Sequence, residues 1–268
     1  MDSMDFMETP EVRKALEEVP SEVLTATTDL AASFTAPVSR RRLLGRVAAG
    51  VAGLSVAGVG AAAILNAHAV QAEAASGGSK LKEFFSILAT GEALFTTFYT
   101  HGVENHERLG INGEALDALE AIRTEEQIHY NFAVANGGVP ATTHFSFPHG
   151  KATFTDRSLF LATQQLSEEL TNGALLAWIR DMAAMGLPRL AQIGGQLMQV
   201  EGGHRVVGRV ILHADPWDNW AFGPVSLENF LQVPSVVAAA GFLSPRPGND
   251  FVFHPVSASF PGVINTKP

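Results

Sequence analysis

The chain contains no cysteine. That excludes disulfides, thiolate metal sites, iron-sulfur clusters and cysteine nucleophiles, so any bound metal must sit on nitrogen and oxygen ligands. Positive charge is also scarce: 18 Lys and Arg stand against 27 Asp and Glu, a formal net charge of -9. No basic, aromatic-rich patch follows residue 46, which argues against DNA or RNA as a partner. Gly-x-Ser-x-Gly, a phosphate-binding Gly loop and a dinucleotide fingerprint are all missing, as is any internal repeat of solenoid length. What is present is apolar material. With 46% hydrophobic and 17% charged residues in 268 positions, the chain can build one sizeable core.

Composition divides the chain before that core begins. Residues 1–38 carry eight Asp and Glu against Arg13 and Lys14 and read as an acidic, disordered arm. Residues 39–74 follow, opening SRRRLLGR. Seventeen uncharged residues run from Val47 to Ala63 before the small-residue stretch AHAVQAEAA. The segment resembles a twin-arginine export signal through Ser39, Arg40, Arg41, Leu43 and Leu44, with cleavage expected after Ala69 or Ala74. The implied location is the periplasm or cell envelope. The alternative is an uncleaved anchor, since about 20 apolar residues span a bilayer. Contact with a membrane is expected through this segment alone.

From about Lys80 the apolar period is helical. The first pattern, about 80–107, repeats through Phe85, Leu88, Phe95 and Tyr99, with Glu92 in the same stripe. The second, about 114–136, carries Leu119, Ile122 and Ala133 and closes on Asn136-Gly137-Gly138. Residues 139–155 read as a long connection, after which Thr155 or Asp156 caps a third helix, about 157–184. Pro188 starts a fourth, about 188–213. Short helices begun by Ser226 and interrupted by Pro234 complete a domain spanning 75–245. An irregular tail, 246–268, ends the chain. The expected fold is all-α.

Two polar pairs break the apolar stripes. Glu126-x-x-His129 lies in the second pattern and Glu201-x-x-His204 in the fourth, and residues at i and i+3 share a helix face. Each pair can offer a carboxylate oxygen and a ring nitrogen to one ion. With 18 Glu and 9 His in the chain, chance supplies roughly 0.6 such matches, so spacing alone decides nothing. Joint placement does more: each pair follows a helix with an inward Glu, Glu92 on the first and Glu168 or Glu169 on the third. Glu168 is preferred because Leu161, Leu175 and Ile179 lie on its seam. Carboxylates buried without partners cost several kcal/mol or shift their pKa upward, which points to a metal centre. Tyr99, seven residues after Glu92, is either an auxiliary hydrogen-bond or electron donor or plain core. His101, His106, His144, His149, His213 and His254 show no ligand spacing. Gly194, Gly195, Gly202 and Gly203 predict a kink in the fourth helix or else close packing on it.

Five segments, GEALFTTFY, EEQIHYNF, QLSEELTNGALLAW, VEGGHRVV and WAFGPVSLENFLQVPSVV, together resemble the ferritin-like domain family that includes exported bacterial proteins and plant desiccation-related proteins. The resemblance covers about residues 80–245. It implies a ferritin-like four-helix bundle with a short C-terminal helical extension, and two metal ions, Fe or Mn, held by Glu92, Glu126, His129, Glu168 or Glu169, Glu201 and His204. In that reading the centre reduces O2 or peroxide under oxidative or desiccation stress. The rival reading is a non-catalytic envelope scaffold with a degenerate or empty site. Iron storage in a hollow shell fits the long connection and C-terminal extension less well. An oligomer is compatible with the sequence, which does not specify one.

Overall fold

The computed structural model describes residues 78–217 and 221–259. The acidic arm and the twin-arginine segment lie outside the described residues, as does the end of the tail. The described chain is mostly helical, with four long helices: α1 (Gly78–Glu104), α3 (Glu114–Ala135), α4 (Arg157–Ala184) and α5 (Pro188–Ile211). A single turn, α2 (His106–Leu109), lies between α1 and α3, and α6 (Val233–Ala239) follows α5.

Local chemistry sets the boundaries. Gly110 closes α2 in the left-handed region at φ 63°, a conformation that glycine adopts without steric cost. At the start of α4 the Asp156 carboxylate accepts the backbone N–H groups of Ser158 at 2.8 Å and Leu159 at 3.1 Å, a cap that contributes about 1 kcal/mol. Pro188 occupies the first turn of α5, where its missing N–H costs no hydrogen bond.

Short links make neighbours antiparallel. Thus α3 folds back closely on α1 and α5 on α4, while the two pairs approach each other less closely. Between them α1 buries Phe84, Phe85, Leu88, Phe95, Phe98 and Tyr99, and α4 buries Phe160, Leu161, Leu175 and Trp178. Aromatic clusters close the core. Phe98 stacks on Phe160 with centroids 4.7 Å apart, joined by Phe147, Phe154 and Phe251. Trp178 packs against Phe84, Phe85 and Phe230.

Three sequence expectations change. The connection 139–155 is partly regular: its strand β1 (His144–Phe145) pairs antiparallel with β2 (Phe251–Val252), and a 3-10 turn follows at Gly150–Phe154. The tail from 246 thus contains one short strand, Phe251–Val252, and a bridge between Arg246 and Asn249, and is otherwise irregular where it is described. Phe253 is buried, and the Gln127 side chain accepts the N–H of Val256. These anchors are tertiary, so short-range periodicity does not announce them. Pro234 does not interrupt a helix but sits in the first turn of α6, after a 3-10 turn (Phe230–Gln232) that Asn229, not Ser226, caps. Finally, α5 runs without interruption through its glycines. Gly194 is a close-packing position, since a Cβ there would come within 2.4 Å of the Trp178 ring.

Candidate metal centre

Each long helix turns at least one charged side chain inward at the same level. Glu92 comes from α1, Glu126 and His129 from α3, Glu168 from α4, and Glu201 and His204 from α5, and all six are buried. Helical geometry forces the i, i+3 pairs onto one face; the looser approach of the two helix pairs leaves room for six large polar side chains. They resolve into two overlapping quartets. Glu92, Glu126, His129 and Glu201 bring one ligand atom each to within 4.8 Å of one another, and so do Glu126, Glu168, Glu201 and His204. Glu126 and Glu201 belong to both.

Both imidazoles point Nδ1 at the carboxylates. His129 Nδ1 lies 3.0 Å from Glu201 Oε1 and 3.7 Å from both Glu92 Oε2 and Glu126 Oε2. His204 Nδ1 lies 2.9 Å from Glu201 Oε2 and 3.1 Å from Glu126 Oε1. One ring N–H cannot serve two or three carboxylates. Accordingly Glu92 Oε2, both oxygens of Glu126, Glu168 Oε2 and Glu201 Oε1 are buried with no directed hydrogen bond among the described residues.

The electrostatics follow from that crowding. Burial holds the Glu92 carboxyl well above the usual range, only partly offset by His129. Burial and the neighbouring Glu201 do the same to Glu168. For Glu201 burial acts upward too, but His204 and His129 outweigh it and hold the group below its ordinary value. Burial would lower both histidines, yet the carboxylates around them raise His129 and His204 well above the ordinary imidazole value. Without a cation, the cluster balances itself only by keeping protons on carboxyls and rings.

On the third helix the two adjacent glutamates face different ways. Glu168 is 1% exposed and faces the cluster, whereas Glu169 points away, pairing with Arg205 at 2.8 Å through a side chain 17% exposed. Tyr99 is fully buried, donates to Glu168 Oε1 and accepts from Gln164 Nε2 at 3.1 Å. Burial and Glu168 push its phenol well above its ordinary value, so it is a neutral donor here. Gln164 also donates to the His204 carbonyl at 2.8 Å. Its amide occupies space that a Cβ on Gly208 would enter, at 1.9 Å from Gln164 Oε1. Sequence reasoning missed both Gln164 and Gly208.

It also missed Glu125, whose Oε2 lies 2.9 Å from His204 Nε2. A carboxylate there keeps a proton on Nε2 and leaves Nδ1 as the lone-pair donor, the usual support for a metal-ligating histidine. Its neighbour Glu126 drew attention because of the i+3 histidine; Glu125 is matched to a residue 79 positions away and leaves no local signal. Of the remaining histidines, His101 pairs with Glu104 at 3.0 Å, His106 Nδ1 lies 3.1 Å from the Ile111 carbonyl and His144 pairs with Asp250 at 2.9 Å. None joins the two quartets.

The donor set fits a metal cation: either quartet could hold one, and a positive ion would give the buried oxygens without hydrogen bonds the partner they lack. No family model matches the chain, and no curated protein or solved structure matches it either.

Proposed function

We propose that this chain is an exported ferritin-like protein whose four-helix core binds two Fe or Mn ions and uses them to turn over O2 or peroxide. The observation that carries the reading is the pair of buried quartets sharing Glu126 and Glu201. A Glu from each of two helices with Glu-x-x-His from each of the other two is the ligand pattern of ferritin-like carboxylate proteins. Here Glu92 and Glu168 supply the single carboxylates, and each serves one quartet. Glu126 and Glu201 belong to both quartets and would be shared between the two ions, with His129 adding a nitrogen ligand to one quartet and His204 to the other. Mixed carboxylate and imidazole ligands suit Fe or Mn, although affinity alone also permits Zn.

Two bound Fe(II) ions would supply two electrons, taking O2 with two protons to H2O2 or H2O2 with two protons to two waters, while a Mn pair would convert two H2O2 to O2 and two waters. The protein's own contributions are positional. Tyr99 donates its hydroxyl proton to Glu168 and so orients one carboxylate. Glu125 holds the His204 ring in the tautomer that leaves Nδ1 free. The aromatic clusters at Phe98 and Trp178 exclude water from the helical core. Export rests on the twin-arginine resemblance of residues 39–46.

The test is elemental analysis of protein purified from its exported location, beside a Glu126→Ala/Glu201→Ala double variant. Two Fe or Mn per chain, lost in the variant, is the expected result. Metal-free protein in both cases would overturn the reading and leave a scaffold.

A further inference from the structure

A cavity of about 40 Å³ opens between α1, α4 and α6. Its wall is aliphatic and aromatic, built from residues that include Leu88, Leu94, Phe95, Leu170, Leu175 and Phe242. Polar groups on the wall are few and committed. The Ser167 hydroxyl donates to the Gln164 carbonyl at 2.9 Å and the Thr171 hydroxyl to the Ser167 carbonyl at 3.0 Å. One charged residue lines it, and that residue is Glu92, a member of the quartet containing His129.

We infer that this cavity is a binding and access site for dioxygen, which makes O2 the oxidant that reaches the centre, on the side of His129. The inference rests on the metal-binding reading and specifies its substrate. Size supports it. A body the size of one water needs about 10–15 Å³ measured in this way, whereas a cavity of about 150 Å³ holds a benzene ring. Forty cubic ångströms thus accepts a two- or three-atom molecule. Polarity then discriminates among small molecules. Water needs two to four polar partners, and peroxide, with two O–H donors, loses most of its hydrogen bonds on entering an apolar site. O2 has none to lose and gains from leaving water. Position completes the argument, because the same Glu92 belongs to the wall and to the ligand set.

The mouth lies where the wall is partly exposed, at Ile87 and Gly91 on α1 and Val233 and Val237 on α6. Gly91 has nothing within 4 Å of where a Cβ would sit. A side chain can therefore be added there without displacing an atom at its base, so Gly91→Leu narrows the mouth while touching no candidate ligand. Ala174→Val narrows the cavity from α4.

Xenon reports on the cavity without any metal. The expected results are one xenon site beside Glu92 in crystals of metal-stripped protein under xenon pressure, and its loss in Gly91→Leu or Ala174→Val. With Fe(II) loaded to equal stoichiometry, those variants should slow single-turnover oxidation by O2 and leave oxidation by H2O2 unchanged. Equal slowing by both oxidants, no slowing by O2, or no xenon in the wild-type cavity would overturn the inference while the metal stoichiometry still stood. A wild-type protein that takes up no metal would overturn both readings, and the stoichiometry alone identifies that case.

Discussion

Glu126 is the side chain whose loss tells most, because it belongs to both quartets and is fully buried. Replacing it with Gln keeps shape and removes one charge, so no cavity forms. In metal-free protein Glu126 is one of the carboxylates that hold His129 and His204 above the ordinary imidazole value, so its loss leaves two buried rings with less compensating charge. The melting temperature of metal-free Glu126→Gln should therefore lie below that of the metal-free wild type. Metal widens the gap. A ligand at about 100 times its Kd stabilises by about 2.7 kcal/mol per site, so the two sites that the quartets describe together give about 5 kcal/mol. For a domain of this length 1 kcal/mol corresponds to about 2–4 °C, which makes the expected rise in Tm on adding Mn(II) or anaerobic Fe(II) about 10–20 °C in the wild type. The variant should keep at most a few degrees of it. Scanning calorimetry with and without metal, beside elemental analysis, measures all four states. An equal metal-induced rise in the variant would refute the shared role of Glu126, and a metal-free variant that melts at or above wild type would refute the charge argument.

Other outcomes follow from the same geometry. Glu168→Gln should lose metal, whereas Glu169→Gln should keep it and cost about 1 kcal/mol by exchanging the ion pair with Arg205 for a neutral hydrogen bond, as metal analysis and denaturant melts would show. Glu125→Gln should weaken metal affinity by about 10- to 100-fold with the fold intact, read by competition with a chelator. The pH response of the metal-free protein is set by Glu92, Glu168, His129 and His204, all raised in the fold. Groups of that kind stabilise fully below their unfolded values and lose the contribution as pH rises through the folded ones, so the metal-stripped Tm should fall as pH rises past the unfolded values, 4.5 for the two carboxyls and 6.5 for the two rings. Glu201, lowered in the fold, loses its contribution only on strong acidification. Bound metal competes with those protons, so the stabilisation it adds should grow as pH rises; a metal-stripped Tm that rises with pH above neutrality would contradict the assignment. Gly208→Ala should destabilise by about 1–3 kcal/mol by overpacking Gln164, whereas Gly203→Ala, with nothing within 4 Å of its Cβ, should stabilise by about 0.8–1 kcal/mol; paired chemical denaturation curves compare them.

The sequence alone determined the helical class, the four long elements to within a few residues, and the candidate ligands from all four. Those features are local: the 3.6-residue period, the Asp156 cap, Pro188 and the terminal glycines act within one or two turns, and i, i+3 spacing places Glu126 with His129 and Glu201 with His204 on any helix. What needed the tertiary structure is whatever depends on the angle and distance between elements. Rotation of α4 decided that Glu168 faces inward while Glu169 meets Arg205, a choice that one-dimensional seams separate only narrowly. Long-range approach brought Glu125 to His204, Gln164 into the gap left by Gly208, and β2 back to β1. The cavity beside Glu92 exists because three helices meet without filling the space between them, a volume that no single segment encodes.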